Sequence, residues 1–491
     1  MSMPKWVIKH REPKTEIKFI RGGYYKYRVS YKYNPEKKRT DKITGVLLGK
    51  ITEEDGFVPS EKNTLRERLH QSPVDIKNFG LYHLFSTLLA EEIEQLYSFF
   101  SEDVCELLIS FSMFRWGYHS PIKRVPSHYL HDYCSEVFKN KKVNDKLVSS
   151  MLKTVGERRT EVVEWMRQLL SKGEQPVHDF VMMDSTHIPS QSELLTVNAK
   201  GYNSDFDFDK QIRLMYLFSM DLKQPVYYRL INGNITDIRS MVLCVEEMKL
   251  DHVIYIADKG FYSKANTEMM QAEKLQYIIP LRRDSKLIDY GPLEQAQFKK
   301  GLSYFTYQER IIWYYQYSNE SGSFITYLNE GLRAKEEADY IRRIETHPEK
   351  YTFEKFQKRL TGFGTLTITY HMDSPKSSEE IYLAYKQRNE IEITFYAYKN
   401  FLKADVMYMQ NRYVIEGWLM ANFLAMLAYH KLFRRLKEAN KIKKYSPKDI
   451  IELSKSIYKL KMKDEWRLSE ITKKNLTLFK EIGIDYLNQR S

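Results

Sequence analysis

Hydrophobic and polar positions change period several times along this chain, and each change marks a different kind of element. Residues 5–50 alternate bulky and polar side chains, as in Tyr24-Tyr-Lys-Tyr-Arg-Val-Ser-Tyr-Lys-Tyr33. The pattern breaks at Asn34-Pro35-Glu36 and resumes through Thr44-Gly45 to Gly49. A period of two predicts a small β-meander or hairpin. From about 62 to 172 apolar residues recur every three or four positions, predicting helices over Phe79–Phe100, Asp103–Trp116 and Asn144–Leu170, interrupted at Pro121 and Pro126. Beyond Val177, Phe180–Met183, Ile212–Met220 and Pro225–Ile231 read as strands, the last two joined by a tight turn at Asp221–Gln224. A helix over Ile238–Leu250, a strand over His252–Ala257 and a helix over Ser263–Glu273 complete a mixed α/β sheet. Residues 285–370 break that rhythm. They carry hairpin material rich in Tyr, Phe and Ile over Phe298–Tyr327, a charged helix over Gly331–Arg359 and a strand over Gly364–Tyr370, which together read as an insertion. Ser378–Leu436 reads as long and helical, and the tail from Lys437 as two or three short helices.

Length turns these elements into domains. A chain of 491 residues exceeds one compact core. The expected division is a basic β-rich arm at 1–60, a helical DNA-binding domain at 61–172 and the first part of a catalytic core at 173–284. A β-rich insertion at 285–372, the second part of the core at 373–436 and a basic helical tail at 437–491 complete it. Charge sharpens the picture. Residues 1–50 hold 14 Lys and Arg against 4 Asp and Glu, and residues 431–491 hold 17 against 8. The ends are therefore +10 and +9, which leaves the middle of a chain of net charge +13 at −6. Basic ends around an acidic centre suit polyanion-binding arms beside a core that collects carboxylates. Cys105, Cys134 and Cys244 are odd in number and widely spaced, which argues against a disulfide framework or zinc ribbon and fits a reducing cytosol. The N-terminus lacks an apolar signal segment, and the run Val414–Tyr429 contains Glu416 and Asn422 and is too short to span a bilayer, so a cytoplasmic protein is expected.

Three places carry candidate chemistry. Tyr385, Arg388, Glu392 and Lys399 are spaced by three, four and seven residues, so on a helix they share one face over about four turns. Ordinary i, i+4 ion pairs on an amphipathic helix would also explain them. Asp184 and Asp258 each end a predicted strand, where functional groups converge in such sheets. If the two strands are neighbours, the carboxylates repel each other unless a cation lies between them. Oxygen-only ligands favour a hard ion, Mg²⁺ or Mn²⁺. Glu392 can supply the third carboxylate.

The pieces Met183-Asp184-Ser-Thr186, Ala257-Asp258-Lys-Gly-Phe261 and Tyr385-x2-Arg388-x3-Glu392-x6-Lys399 resemble the DDE transposases of the IS4-type superfamily, with the closest match in its IS1634 branch. The third piece carries the superfamily's Tyr-Arg-Glu-Lys signature at every position. Asn232-Gly-Asn234-x2-Asp237 and Leu47-Leu-Gly-Lys50 through Gly56-Phe57 are similar to further family segments, so the resemblance covers roughly 10–430. It implies an α/β, ribonuclease H-like mixed-sheet core interrupted by a β-rich insertion. It also implies that Asp184, Asp258 and Glu392 hold two Mg²⁺ ions, with Mn²⁺ as a substitute, at double-stranded transposon ends. Such ions clamp the attacking and leaving oxygens of a phosphoryl displacement. A first cut frees a 3′-hydroxyl, which then attacks target DNA. Tyr385, Arg388 and Lys399 are implied phosphate contacts, Arg as a fork and Lys as a point charge. The separations of 74 residues between the aspartates and 134 from Asp258 to Glu392 leave room for the insertion, which in relatives lies against the DNA end. Some relatives use an aromatic like Trp313 to stack a flipped base while a DNA hairpin forms, although Trp313 also reads as ordinary strand packing.

Other candidates are weaker. Asp205-x-Asp207-x-Asp209 begins like a calcium loop, but Lys210 and Tyr216 occupy the positions of its Gly and Glu. His187 could polarise a phosphate but reads as structural, and Arg213, Arg282 and Arg283 could grip DNA but read as surface arginines. Synapsis of two ends implies a homodimer acting on chromosome or plasmid, with the helix over 412–436 and the tail as its expected interface. A nuclease that cuts without joining and a retired, DNA-binding derivative are the alternatives. The three carboxylates and their Tyr-Arg-Lys escort favour a working enzyme.

Overall fold

The computed structural model describes the chain apart from residues 1–2, 35–38, 61–74, 139–141, 171–179, 193–194, 196–197, 201–209, 233–236, 250–252, 296, 375, 405–407, 463–464 and 488–491. The Asp205–Asp209 triplet, most of the Asn34–Glu36 turn and Gly233–Thr236 thus lie outside the described residues. Two compact units result, residues 1–77 with 458–470, and residues 78–457 with 471–491.

In the first unit the period-two alternation folds as an antiparallel sheet of β1 (Thr15–Ile20), β2 (Gly23–Asn34), β3 (Arg39–Thr52) and β4 (Gly56–Pro59) in chain order. Val7, Ile17 and Ile51 form its small core, with Trp6, Tyr24 and Phe57 packed around them. Lys26 is buried there, its Nζ 2.8 Å from Glu12 and 4.9 Å from the centroid of the Phe57 ring. The ion pair and the ring offset the cost of burying the ammonium. A second, three-stranded sheet joins β5 (Asp75–Asn78) to a hairpin made by Tyr458–Met462 and Glu465–Leu468. The C-terminal tail is therefore not wholly helical, contrary to the expectation from sequence. Tyr458, Leu460 and Met462 alternate with lysines, a strand period lying between two helices, Pro447–Lys455 and Lys473–Glu481.

The second unit is built on one mixed sheet. Its heart is β6 (Phe180–Pro189), β8 (Lys210–Ser219), β9 (Gln224–Asn232), β10 (Ile254–Ile256) and β11 (Gln276–Pro280), with a two-residue β7 (Ala199–Lys200) on the edge of β8. The order is β9-β8-β6-β10-β11. Strand β8 is antiparallel to β6 on one side and to β9 on the other, and β10 and β11 run parallel to β6. Residues 285–372 do not leave this sheet. Strand β15 (Thr365–His371) pairs with β11, and β14 (Gly322–Asn329), β13 (Arg310–Asn319) and β12 (Ser303–Tyr307) continue outward in turn. Met182, Phe218, Ile256, Ile278, Ile325 and Ile368 share a single core across the old and new strands.

Helices of residues 80–170 belong to this same unit. The relevant ones are α1 (Glu102–Tyr118), α2 (Asp145–Glu157) and α3 (Arg159–Leu170), followed after the sheet by α4 (Ser378–Lys386), α5 (Asn389–Tyr396) and α6 (Arg412–Glu438). The helical segment 378–436 is thus divided into three helices. Lys403 takes a left-handed φ of 52°, and Asn411 caps a new helix by accepting from the backbone N–H of Tyr413 and Val414. Helix α6 is buried along Ile415–Ala428 and packs on α1, α2 and β9. That burial removes most of it from the dimer interface expected there. Among the described residues no helix is long and apolar enough to cross a membrane.

Two glycines permit the close crossing of α2 and α6. A Cβ on Gly156 would stand 1.9 Å from the Tyr413 carbonyl oxygen, and one on Gly417 would stand 2.0 Å from that of Leu152. Both obstacles are backbone and cannot swing aside. Gly417→Ala should therefore lower unfolding free energy by about 1–3 kcal/mol, as overpacking does, despite the better helix propensity of Ala. Urea unfolding checks this, and a variant as stable as wild type would contradict the close crossing.

Candidate active site

Register places the two aspartates level with each other. In the parallel pair β6–β10, Ile254 is opposite Phe180 and Ile256 opposite Met182. Asp258 and Asp184 each lie two residues beyond that last pair. Asp184 does not end its strand, as expected from sequence, because antiparallel pairing with β8 carries β6 on to Pro189, with Asp184 opposite Tyr216. The apolar run stops at Met183, but the ladder does not. Asp258 lies two residues past the end of β10, at the strand's C-terminal edge. It caps the 3₁₀ turn Lys259–Phe261, its Oδ1 accepting from the Lys259 N–H at 2.6 Å. The Oδ1 of Asp184 likewise accepts from the N–H of Ser185 at 2.8 Å.

Arg388 gathers the acidic groups. Its Nη1 lies 3.2 Å from Asp258 Oδ1 and its Nη2 lies 3.3 Å from Glu392 Oε1, the second contact being the i, i+4 pair the spacing allowed. Burial works against its charge. Asp258, Tyr385, Asp184 and Glu392 outweigh that effect, and the guanidinium pKa is raised. The Tyr385 phenol is pushed up chiefly by burial, partly countered by Arg388, so it keeps its proton at neutral pH. Packing of Tyr385 and Phe395 against the core of the sheet fixes α4 and α5 over it. Helix α4 is set by a capping box in which Ser377 and Glu380 exchange hydrogen bonds.

Lys399 lies on a different kind of turn from the regular helix the spacing assumes. Residues Ala397–Phe401 form a π-helical turn, closed by the Leu402 N–H donating to the Ala397 carbonyl at 2.9 Å, and Lys399 is half-buried at its centre. Such turns recur at functional sites, and nothing in the apolar periodicity signals this one. Two buried contacts hold the segment. Thr394 Oγ1 lies 3.0 Å from His430 Nε2 on α6, and Arg115 on α1 donates to the Leu402 carbonyl at 2.5 Å.

Trp313 lies elsewhere. It is in β13, four strand spacings or roughly 19 Å from β10. Its indole N–H donates to Glu330 at 3.2 Å, with Tyr304 and Lys299 each 5.5 Å from its ring. His187 points to the opposite face of β6 from Asp184 by strand alternation and meets Arg213 at 2.9 Å. Arg283 forms a bidentate pair with Glu336 at 2.9 and 3.0 Å.

The donor set suits a hard divalent cation in type, being carboxylate oxygen only, with Glu392 more than half exposed. Among the described residues, no three His, Cys, Asp or Glu side chains stand together as a ready ligand cluster. The positive charge between Asp258 and Glu392 is here that of Arg388.

Comparison with protein families finds a match to the model described as Transposase DDE domain over residues 175–428, just over half of the chain. A comparison with curated proteins finds no match. Among solved structures, the piggyBac transposase synaptic complex with hairpin DNA is 9% identical, with 72% of this chain and 70% of that one covered at a TM-score of 0.37. The Mos1 transposase paired-end complex with left transposon end is 14% identical, with 45% and 67% covered at a TM-score of 0.15.

The burial of His430 makes stability depend on pH. Burial pushes the His430 imidazole down to about 3, whereas an unfolded histidine titrates near 6.5. The unfolded chain therefore takes up a proton that the folded one refuses. This contribution is complete above about pH 6.5 and is lost as pH falls towards 3, by up to about 1.4 kcal/mol per pH unit. Urea midpoints between pH 7 and 5 should fall less steeply for His430→Gln than for wild type. Parallel slopes would show that the ring does not titrate in this way.

Proposed function

The chain belongs to the family of the transposase DDE domain, and we propose that it is the transposase of a bacterial insertion sequence, of the IS4-type superfamily and nearest its IS1634 branch. It binds the element's terminal inverted repeats as a homodimer in a synaptic complex. It cuts them and joins the freed 3′-hydroxyl to target DNA on chromosome or plasmid, by a cut-and-paste route in the cytoplasm. The observation that carries this reading is the level placement of Asp184 and Asp258 with Glu392 drawn to Asp258 through Arg388, all inside the stretch that matches the family. The strand order β9-β8-β6-β10-β11 supports a ribonuclease H-like core.

Asp184, Asp258 and Glu392 would hold two Mg²⁺ ions, or Mn²⁺ in their place. When bound, such ions polarise the phosphoryl group and ease deprotonation of the attacking water or hydroxyl. The chain's own side chains do the rest. Arg388 keeps Asp258 and Glu392 turned towards one another, and its planar fork matches a phosphate as well as it matches carboxylates. Tyr385 retains its proton and can donate it in a hydrogen bond to a phosphate oxygen beside the cut. Lys399 adds a point charge from the π-helical turn.

The test compares wild type with Glu392→Gln on a labelled duplex carrying the element's ends, with and without Mg²⁺. The substitution keeps the shape and removes the charge. Loss of a partner that merely supports a metal ligand costs about 10–100-fold, so loss of a ligand should reduce Mg²⁺-dependent nicking by about a hundredfold or more while DNA binding persists. Undiminished nicking by the variant would overturn the triad. Nicking without joining by wild type would make the protein a nuclease.

A second test concerns Trp313. If it stacks a flipped base, Trp313→Ala should nick normally and form hairpin ends poorly, by an amount matching about 1–3 kcal/mol of stacking. An unchanged product pattern on denaturing gels would leave the indole as a strand residue tied to Glu330.

A further inference from the structure

The sheet of the first unit is wider at its base than at its outer end. Strand β1 pairs with β2 from Gly23 to Arg28, and β4 pairs with β3 from Gly49 to Thr52. Beyond these, Val29–Asn34 ladders with Arg39–Thr44 alone, six residue pairs among the described residues, tied down at the base where the Val29 N–H donates to the Lys14 carbonyl and Lys42 pairs with Glu16 of β1. This two-stranded ribbon is roughly 20 Å long at the usual rise per residue. The register shifts at its base, between Lys26 and Tyr27 and between Tyr27 and Val29, and a strand interrupted in this way bends and twists more strongly. Gly45 lies at the same place, where a Cβ would come within 3.1 Å of the Arg28 carbonyl oxygen.

An isolated two-stranded ribbon is only marginally stable, yet this one exposes large side chains. Tyr31 is 60%, Tyr33 61% and Ile43 46% exposed. Alternation puts Tyr31 and Tyr33 on one face, with Lys42 opposite Tyr31 and Thr40 opposite Tyr33, and puts Lys32 and Ile43 on the other. The surrounding fifty residues carry a net charge of +10.

We infer that this ribbon, residues 29–34 and 39–44, enters the major groove of the DNA end and reads it. The inference rests on the transposase reading, because it takes that DNA as its ligand. The major groove of B-DNA is about 12 Å wide and admits a two-stranded β-ribbon as it admits a helix. The positive charge supplies the pull to the duplex, which carries no sequence information. Reading falls to groups that can meet base edges, which are the Tyr31 and Tyr33 hydroxyls and Thr40 on one face and the apolar Ile43 on the other. A protein partner for the same tyrosines would not call for +10 of charge around them.

Fluorescence anisotropy of the full chain tests this, using a duplex with the element's terminal repeat, a scrambled duplex of equal length, and the repeat with 7-deazaguanine for guanine. The last removes an acceptor found in the major groove alone. Wild type should prefer the repeat and bind the deaza duplex more weakly. Tyr31→Ser/Tyr33→Ser should lose about tenfold or more on the repeat, in line with one or two lost base contacts, and change little on the scrambled duplex. Both tyrosines are exposed, and Tyr31→Phe/Tyr33→Phe keeps their bulk if the serine pair disturbs the hairpin. An unchanged affinity of both pairs for the repeat, with cutting intact, would overturn the ribbon's role and leave the transposase standing. An equal loss on both duplexes would make the ribbon a phosphate clamp and overturn the groove reading. A wild type that neither binds nor cuts the repeat would overturn both readings.

Discussion

A helix of 27 residues buried along most of its length must settle its polar groups inside the protein, and α6 does so by binding the elements around it. Asn422 accepts from Arg115 Nε at 3.1 Å, and the same guanidinium reaches the Leu402 carbonyl behind the π-helical turn. His430 meets Thr394, two residues past Glu392. Glu416 is the exception, since its buried Oε2 stands 3.9 Å from Arg159 Nη1 with no hydrogen bond, and only charge ties it to an arginine that donates to the Tyr228 carbonyl in β9. Lys431 pairs with buried Glu92 at 2.5 Å. Burial pushes Arg115 down only to about 10, so it remains charged at neutral pH and cannot leave Asn422 and Leu402 without a large cost. Every one of these contacts joins segments far apart in sequence. Together they fix the helix that carries Glu392 against a sheet that carries the two aspartates.

The sheet then solves a different problem, which is to bring like charges together. Parallel pairing of β6 and β10 sets Asp184 and Asp258 at one level, and successive residues Val181–Met183 and Ile254–Ala257 are all buried, as in a sheet covered on both faces. Extending the sheet through β15, β14 and β13 widens the apolar face on which α4 lies, since Tyr382 packs with Ile325, Tyr327 and Ile368. Residues that looked like an interruption of the core are thus part of what seats Tyr385 and Arg388. Asp258 and Glu392 can share one neighbourhood because a cation stands between them, here the guanidinium of Arg388.

Much of this was legible in the amino-acid sequence, for reasons that differ by element. The i, i+4 spacing of Arg388 and Glu392 predicted a contact that exists, since it depends only on local helix geometry. The mixed sheet was readable from short apolar runs of strand length. Features that stayed hidden depended on partners distant along the chain. Met183 looked like a strand end because the apolar run stops there, yet β8 supplies a ladder on to Pro189. Tyr458–Met462 and Glu465–Leu468 lie within a lysine-rich tail and pair with each other beside β5, a partner nearly 400 residues away. Trp313 was visible as an aromatic in a strand, but not that Glu330 holds its N–H or that four strand spacings separate it from β10.

Lys399 shows where a spacing argument reaches its limit. Seven residues after Glu392 return to the same face only while the helix keeps 3.6 residues per turn. The turn from Ala397 to Phe401 closes from i to i+5, so it takes in an extra residue and rotates the chain beyond it. The turn is held open by contacts that have nothing to do with local propensity, the Arg115 bond to Leu402 and the buried Tyr398 beside it. A fixed motif spacing can therefore record a broken helix as faithfully as a straight one. Here the end of that turn is held from outside the motif, by a core arginine on a distant helix that bonds the Leu402 carbonyl.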